Sequence, residues 1–166
     1  MTLLSWEKRL SVGTPSIEAQ HRLLVEALNE LHSAVMRGEP RSVTGLFLRT
    51  LIAYTRNHQA AEEALMARLD YPDLPQHRAL HRELMENLEA QLAHVERGES
   101  TVTVEFLYFL RDWLTHHIQK VDRAYLPWVL RHATSKARAA TPLGQTSNES
   151  CADANKDAGL CSDARS

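Results

Sequence analysis

The 166-residue sequence lacks a long apolar run. Its longest mostly apolar stretches, such as Val102 to Leu110, are broken by a charge, here Glu105, and fall far short of the roughly 20 residues that cross a bilayer. The N-terminus carries charges at Glu7 and Lys8 and so has no apolar centre of a secretory signal. We therefore expect no membrane association and a cytoplasmic location.

Excess positive charge and a cysteine framework are also missing. The formal net charge is -2, whereas a phosphate-binding domain is normally distinctly basic, so no nucleic-acid partner is expected. The two cysteines, Cys151 and Cys161, have no second cysteine or histidine at a metal-ligand spacing. A disulfide within the tail or a partner-dependent role stays open, but two free thiols in a reducing compartment are the favoured interpretation.

Helical periodicity dominates the sequence, and the alternation typical of strands is almost absent. Residues 1–16 are predicted to form an arm, because Gly13 and Pro15 are loop signals. Apolar residues that recur at three and four positions predict four helices, over about residues 17–36, 42–69, 73–97 and 100–132.

Capping residues mark the ends of these helices. Asp73 is predicted to cap the third helix, with Pro75 tolerated in its first turn. Ser100 or Thr101 is predicted to cap the fourth helix, which we expect to kink at Pro127. The loops between the helices are therefore short.

The composition changes near the C-terminus, where residues 134–166 are mostly small or polar. Such a segment cannot bury enough apolar surface to offset the entropy lost on ordering, so a disordered tail is predicted. The sequence thus predicts an all-α protein, an up-down-up-down four-helix bundle over residues 17–133, between the arm and the tail. We expect it to be a monomer.

Each predicted helix places at least one histidine on the apolar stripe where a leucine would be expected. A lone core histidine is more often a hydrogen-bonded structural residue than a ligand. Two helices, however, carry pairs four residues apart, which lie on one face about one turn apart. A buried glutamate also needs a cation nearby. The stripes therefore predict a metal site formed by His21, His58, Glu62, His77, His81 and His117.

The last helix needs a choice between adjacent histidines. His116 lies in line with charged residues, whereas His117 lies on the apolar stripe and is the predicted ligand. Asp122 follows five residues later, about 140° around a regular helix, so spacing alone leaves its role open. His32 lies about 16 Å along the axis from His21, too far for the same site. The remaining histidines are assigned to the surface: His94, His116 and His132.

The stretches around these candidate ligands resemble the bacterial hemerythrins over about residues 6–127. The signature is one histidine followed by H-x3-E, H-x3-H and H-x4-D, in that order. The sequence departs from the usual family pattern at Glu18, where aspartate is common, and at Gln59, where an aromatic residue is common. Neither is a ligand position. The resemblance is carried by Trp6, VGTPSIEAQH at 12–21, HQAAEEALMARLDYP at 58–72, HRALH at 77–81 and DWLTHHIQKVD at 112–122.

The resemblance implies a non-haem di-iron centre, with two Fe ions bridged by an oxo or hydroxo group, that binds O2. Because it includes an aspartate five residues after the last histidine, it makes Asp122 the seventh ligand. The implied ligand sets are three histidines on one iron (His77, His81 and His117), two on the other (His21 and His58) and two bridging carboxylates (Glu62 and Asp122).

Counting ligands around two octahedral irons leaves one position open, on the iron with two histidines. The expected neighbours of bound O2 are Leu24, Leu114 and Ile118. We therefore expect reversible O2 binding for storage, transport or delivery to oxygen-requiring enzymes, and not an enzyme. A di-iron enzyme handling peroxide or nitric oxide, and an oxygen or redox sensor acting through a partner, are the alternatives.

Overall fold

The computed structural model of the protein describes residues 2–139. Helix α1 packs on α2 and α4, and α2 packs on α3, which confirms the predicted all-α four-helix bundle. None of the helices in this part of the chain is both long enough and apolar enough to cross a membrane. The helices are α1 (Pro15–Met36), α2 (Arg41–Arg68), α3 (Leu74–Arg97), α4 (Val104–His116) and α5 (Leu126–Ala139).

The fourth predicted helix differs most from expectation. The chain between α4 and α5 forms a π-helical turn over His117–Val121 and then a 3-10 turn over Asp122–Tyr125. The regular α-helix is therefore interrupted at His117, ten residues before the expected kink at Pro127. Pro127 instead lies in the first turn of α5, where a missing amide proton costs little.

The cap of α4 is Thr103, whose side chain accepts a hydrogen bond from the Phe106 amide at 3.3 Å. The prediction of Ser100 or Thr101 as the cap is therefore wrong. Val102 is only 4% exposed and packs in the core. The chain is non-helical from Thr101 to Thr103, so the helix begins later than predicted.

The C-terminal boundary also lies later than expected. Helix α5 continues to Ala139, six residues beyond the predicted end of the bundle at residue 133. The remainder of the predicted disordered tail, with Cys151 and Cys161, lies outside the described residues.

Three apolar clusters fill the described part of the bundle, and Leu114 packs against the first two of them. The first is made mostly of leucines from α1 to α4, and Leu3 of the arm packs against it. The second joins the N-terminal arm to α1 and the π turn. Its buried members are Leu4, Leu10, Val12, Ile17, Val25 and Ile118. The third is formed by Met66, Tyr71 and Tyr125.

The N-terminal arm is an ordered part of this second cluster. Leu10 and Val12 are fully buried. The Asn29 side chain accepts hydrogen bonds from the amides of Leu3 and Leu4, at 2.9 and 3.0 Å, and donates one to the Leu4 carbonyl at 2.8 Å. The arm therefore covers the end of the bundle near the π turn.

Glu18 holds the last part of the arm against α1. Its carboxylate accepts hydrogen bonds from the Ser11 hydroxyl and, at 2.8 Å, from the Gly13 amide. The hydrogen bond from Ser11 lowers the pKa of Glu18 below its usual value, although burial opposes this shift. The carboxylate also lies in the first turn of α1, where it interacts favourably with the helix dipole.

Replacing Leu10 with alanine should lower the free energy of unfolding by about 2–5 kcal/mol, because a fully buried leucine leaves a cavity behind. The control is Leu46→Ala in α2, which is 62% exposed and should change stability by less than about 0.5 kcal/mol. Urea unfolding followed by circular dichroism measures both. Equal small effects would contradict the packing of the arm in the core.

Candidate metal centre

The seven side chains predicted as ligands converge in the interior, between the helices. Each of them is at most 4% exposed. Residues one turn apart on α2 and on α3 point to the same place because four residues make about one turn of an α-helix. The seven side chains are contributed by α1 (His21), α2 (His58 and Glu62), α3 (His77 and His81) and the turns after α4 (His117 and Asp122).

One group of donor atoms contains three imidazoles. The Nε2 atom of His77 lies 3.0 Å from Nε2 of His81 and 3.3 Å from Nε2 of His117, and the last two are 3.1 Å apart. Glu62 Oε2 lies 3.2 Å from Nε2 of His77 and 3.4 Å from that of His81. The four donor atoms lie within 4.8 Å of one another, so a single ion could contact all of them.

A second group lies beside the first and shares Glu62 with it. His21 Nε2 is 3.2 Å from Asp122 Oδ2, and His58 Nε2 is 3.4 Å from Glu62 Oε2. The other oxygen of Asp122, Oδ1, lies 3.1 Å from Nε2 of His117, in the first group. Both carboxylates therefore lie between two sets of imidazoles.

The π turn explains how Asp122 reaches the site. The Asp122 amide donates its hydrogen bond to the His117 carbonyl, five residues back rather than four. In such a turn, residues five apart lie one above the other, as residues four apart do in an α-helix. The aspartate therefore faces the same way as His117, although a regular helix would have placed it about 140° away.

The chemistry of these donor atoms fits metal ions. Both oxygens of Asp122 are fully buried and accept no hydrogen bond of acceptable geometry from any described residue, a costly state for a carboxylate without a cation. His81 directs Nδ1 towards Glu63, so the lone pair of its Nε2 faces the imidazoles of His77 and His117. A cation between these atoms would remove their mutual repulsion. Imidazole and carboxylate suit iron, zinc and manganese.

Burial and neighbouring charges shift the pKa values of several of these groups in different directions. Burial lowers the pKa of His58 to about 4, although Glu62 opposes the shift, so this imidazole is neutral near pH 7. Burial would also lower the pKa of His81, but hydrogen bonds to Glu62 and Glu63 outweigh it and raise that pKa. Burial would raise the pKa of Glu62, but hydrogen bonds from His77 and His81 lower it. Burial and the negative charge of Glu62 would raise the pKa of Asp122, but the nearby imidazoles of His117 and His21 lower it. The site thus attracts positive charge.

Two aromatic side chains that sequence reasoning missed support the ligands. The Tyr125 hydroxyl donates a hydrogen bond to Glu62 Oε1 at 2.9 Å. Burial and, to a lesser extent, the negative charge of Glu62 raise the pKa of Tyr125. Its hydroxyl therefore stays protonated and remains a hydrogen-bond donor. Trp113 stacks on the His117 ring, with centroids 4.2 Å apart and planes inclined by 13°. A tryptophan four residues before a ligand histidine was the available signal for this contact.

An apolar cavity of about 30 Å³ adjoins the donor atoms. This volume admits at least one water-sized molecule. The described wall includes several predicted ligands and Leu24 and Leu114, both predicted to border bound O2. Its other apolar residues are Leu28, Leu51, Leu84, Leu88, Leu110 and Trp113.

Ile118 is not part of that wall, contrary to the prediction. It is fully buried and packs in the second cluster, with Leu10 and Val12 of the arm. A regular helix would place it on the same face as Leu114, four residues earlier. Leu114 also packs against this second cluster, but it reaches the cavity as well, whereas Ile118 does not.

The other histidines lie away from the two donor groups. His32 is 5% exposed, and it belongs to neither group among the described residues. His94 is at the surface, where its Nδ1 lies 2.7 Å from Glu99 Oε2. His116 and His132 are exposed, as predicted.

Comparison with known proteins agrees with this arrangement. A family model described as the hemerythrin HHE cation binding domain matches residues 12–129. The chain belongs to the hemerythrin family. All seven converging residues lie within the matched range, so the part of the chain that defines the family contains the whole donor set.

Several relatives cover most of this hemerythrin-family chain. A bacteriohemerythrin of Stenotrophomonas maltophilia is 33% identical over 138 residues, which are 83% of this chain and 89% of that protein. A bacteriohemerythrin of Methylococcus capsulatus is 32% identical over 76% of this chain and 97% of its own length. A myohemerythrin of Riftia pachyptila is 25% identical over 72% of this chain and 88% of its own length.

Solved hemerythrin structures share the fold. The crystal structure of a wild-type hemerythrin superposes with a TM-score of 0.73 at 31% identity, covering 76% of this chain and 98% of that one. A hemerythrin mutant in which leucine is replaced by alanine gives a TM-score of 0.74 over 77% and 98% of the two chains.

Proposed function

We propose that this chain holds a pair of iron ions at the seven converging residues and binds O2 reversibly, for storage, transport or delivery to oxygen-requiring enzymes. The observation that carries the proposal is the pair of buried donor groups that share Glu62 beside an apolar cavity. The oxygen-binding family to which the chain belongs, and relatives named bacteriohemerythrin and myohemerythrin, support it.

The proposed assignment follows the two donor groups. One iron would be held by three histidines and the other by two, with Glu62 and Asp122 between them. When bound, the iron pair would supply electrons and one open coordination position for O2. The open position would fall on the side with fewer histidines, that of His21 and His58. His58 lies on the wall of the cavity.

The cavity would admit O2 and limit access of water and protons. Half of the residues on its described wall are leucines, which carry no group that could deliver a proton. Two polar side chains on this wall, Thr55 and Gln59, donate to the backbone carbonyls of Leu51 and His81, at 2.8 and 3.1 Å. The Thr55 hydroxyl proton and one of the two Gln59 N–H groups are therefore already used within the protein, which favours release of O2 over its reduction.

The test uses the full chain loaded with ferrous iron under anaerobic conditions. Exposure to O2 should change the visible spectrum, and removal of O2 under vacuum should restore the starting spectrum over repeated cycles. A sample loaded with zinc should show no change. An optical change that never reverses, or continuous consumption of O2, would exclude a reversible carrier and indicate an enzyme.

A further inference from the structure

Glu63 lies beside the predicted ligand Glu62 on α2 but belongs to neither donor group. Its side chain is 23% exposed and contacts α3 with both oxygens. Oε1 lies 2.9 Å from Nδ1 of His81, and Oε2 accepts a hydrogen bond from Nε of Arg78 at 3.0 Å. The carboxylate therefore connects the outer nitrogen of one predicted ligand to a surface cation.

This contact distinguishes His81 from other imidazoles of the site. Nδ1 of His58 faces the amide oxygen of Gln20 at 3.4 Å, a longer contact with a neutral group. Nδ1 of His21 and Nδ1 of His77 have no hydrogen-bond partner within the described part of the chain. The three-histidine group thus contains one imidazole with a carboxylate behind it.

A carboxylate at Nδ1 has two effects on an imidazole. It accepts a hydrogen bond from the Nδ1–H group, which keeps the proton on Nδ1 and leaves the lone pair on Nε2, the nitrogen that faces the donor group. It also increases the electron density that the ring can donate to a metal. Both effects need the carboxylate to stay in place, and Arg78 holds its second oxygen from the same helix as His81.

We propose that Glu63 is a positioning residue of the metal centre, which fixes the tautomer of His81 and strengthens metal binding by the three-histidine group. The inference rests on the proposed function for the identity of the metal. It assigns the two irons different outer surroundings, so they should differ in affinity and in reduction potential.

The experiment compares Glu63→Leu and Glu63→Gln with the unchanged chain, each loaded with iron. The control is Glu86→Gln on α3, whose side chain is exposed. Competition with a chelator should show about 10- to 100-fold weaker binding of one of the two irons in Glu63→Leu. Glu63→Gln keeps an acceptor for Nδ1 without the charge, so it should retain more affinity but show a raised reduction potential.

Two further measurements separate positioning from a purely structural role. Thermal unfolding of the metal-free variants should change little, because Glu63 is partly exposed. In the zinc-loaded chain, nitrogen-15 NMR should show the His81 proton on Nδ1, and this signal should exchange faster with solvent in Glu63→Leu.

The outcomes distinguish this inference from the proposed function. Equal iron affinity, potential and Nδ1 signal in all variants would overturn the role of Glu63, and so would equal loss of both irons with a lowered metal-free melting temperature. If the unchanged chain binds two zinc ions but never binds O2 reversibly, the proposed function fails, and the zinc-loaded NMR data alone decide the role of Glu63.

Discussion

Replacing His21 with alanine should abolish reversible O2 binding and leave about one iron per chain. His21 is fully buried and belongs to the donor group with only two imidazoles. Without it, that iron would keep one histidine, His58, and two carboxylates, too few strong ligands to hold the ion in competition with solvent and chelators. Iron analysis after gel filtration gives the metal content, and anaerobic titration with O2 gives the optical response.

His32→Ala provides a matched control on the same helix. His32 is also buried, at 5% exposure, but belongs to neither donor group among the described residues. This variant should retain two irons and a reversible response. Similar iron loss in both variants would point to damage to α1, and retention of two irons by His21→Ala would show that the assignment of this ligand is wrong.

Replacing Asp122 with asparagine should weaken binding of the metal pair at least about 100-fold, beyond the 10- to 100-fold typical of outer partners of a ligand. The side chain keeps its shape but loses the negative charge that lies between His21 and His117. A neutral amide is a much weaker bridge between two cations than a carboxylate. Anaerobic titration of the metal-free chain with ferrous iron, monitored by calorimetry, measures the affinity and the stoichiometry.

The matched control is Asp112→Asn on α4, where the carboxylate is 68% exposed and pairs with the neighbouring Arg111. It should bind two irons with unchanged affinity. If Asp122→Asn also bound two irons with unchanged affinity, the residue would be a structural neighbour of the site and not a bridge.

Helical periodicity alone was enough to predict most of the converging residues. Core-facing positions in α1, α2 and α3 recur at three and four residues, so the histidines on those stripes had to face the interior. The short loops then made the helices neighbours and brought their stripes together. His116 could be excluded in favour of His117 because it lies in line with charged residues, whereas His117 lies on the apolar stripe.

The positions of Asp122 and Ile118 depended on local structure that a regular helix pattern does not contain. Asp122 lies on the site because of the π turn, whereas spacing in an α-helix left its role open. Ile118 lies on the apolar stripe, but the stripe could not show that it packs against the arm and not on the cavity. Only the family resemblance supplied Asp122 before the structure did.

Contacts between helices could also not be predicted from the sequence. Glu63 and Tyr125 matter because of what lies opposite them, His81 and Glu62 respectively, and neither partner is on the same turn. Spacing within one helix cannot show which residue of a neighbouring helix a side chain meets. Burial of the arm through Leu10 was hidden for the same reason, because the segment has no regular pattern of its own.

The five-residue spacing of His117 and Asp122 has a practical consequence for protein design. A designer who copied the seven residues onto four ideal straight helices would point the aspartate away from the metal. Such a scaffold would need either a π turn after the histidine or an aspartate moved to the fourth position. The hydrogen bond from the Asp122 amide to the His117 carbonyl is thus a required part of the site, together with its ligands.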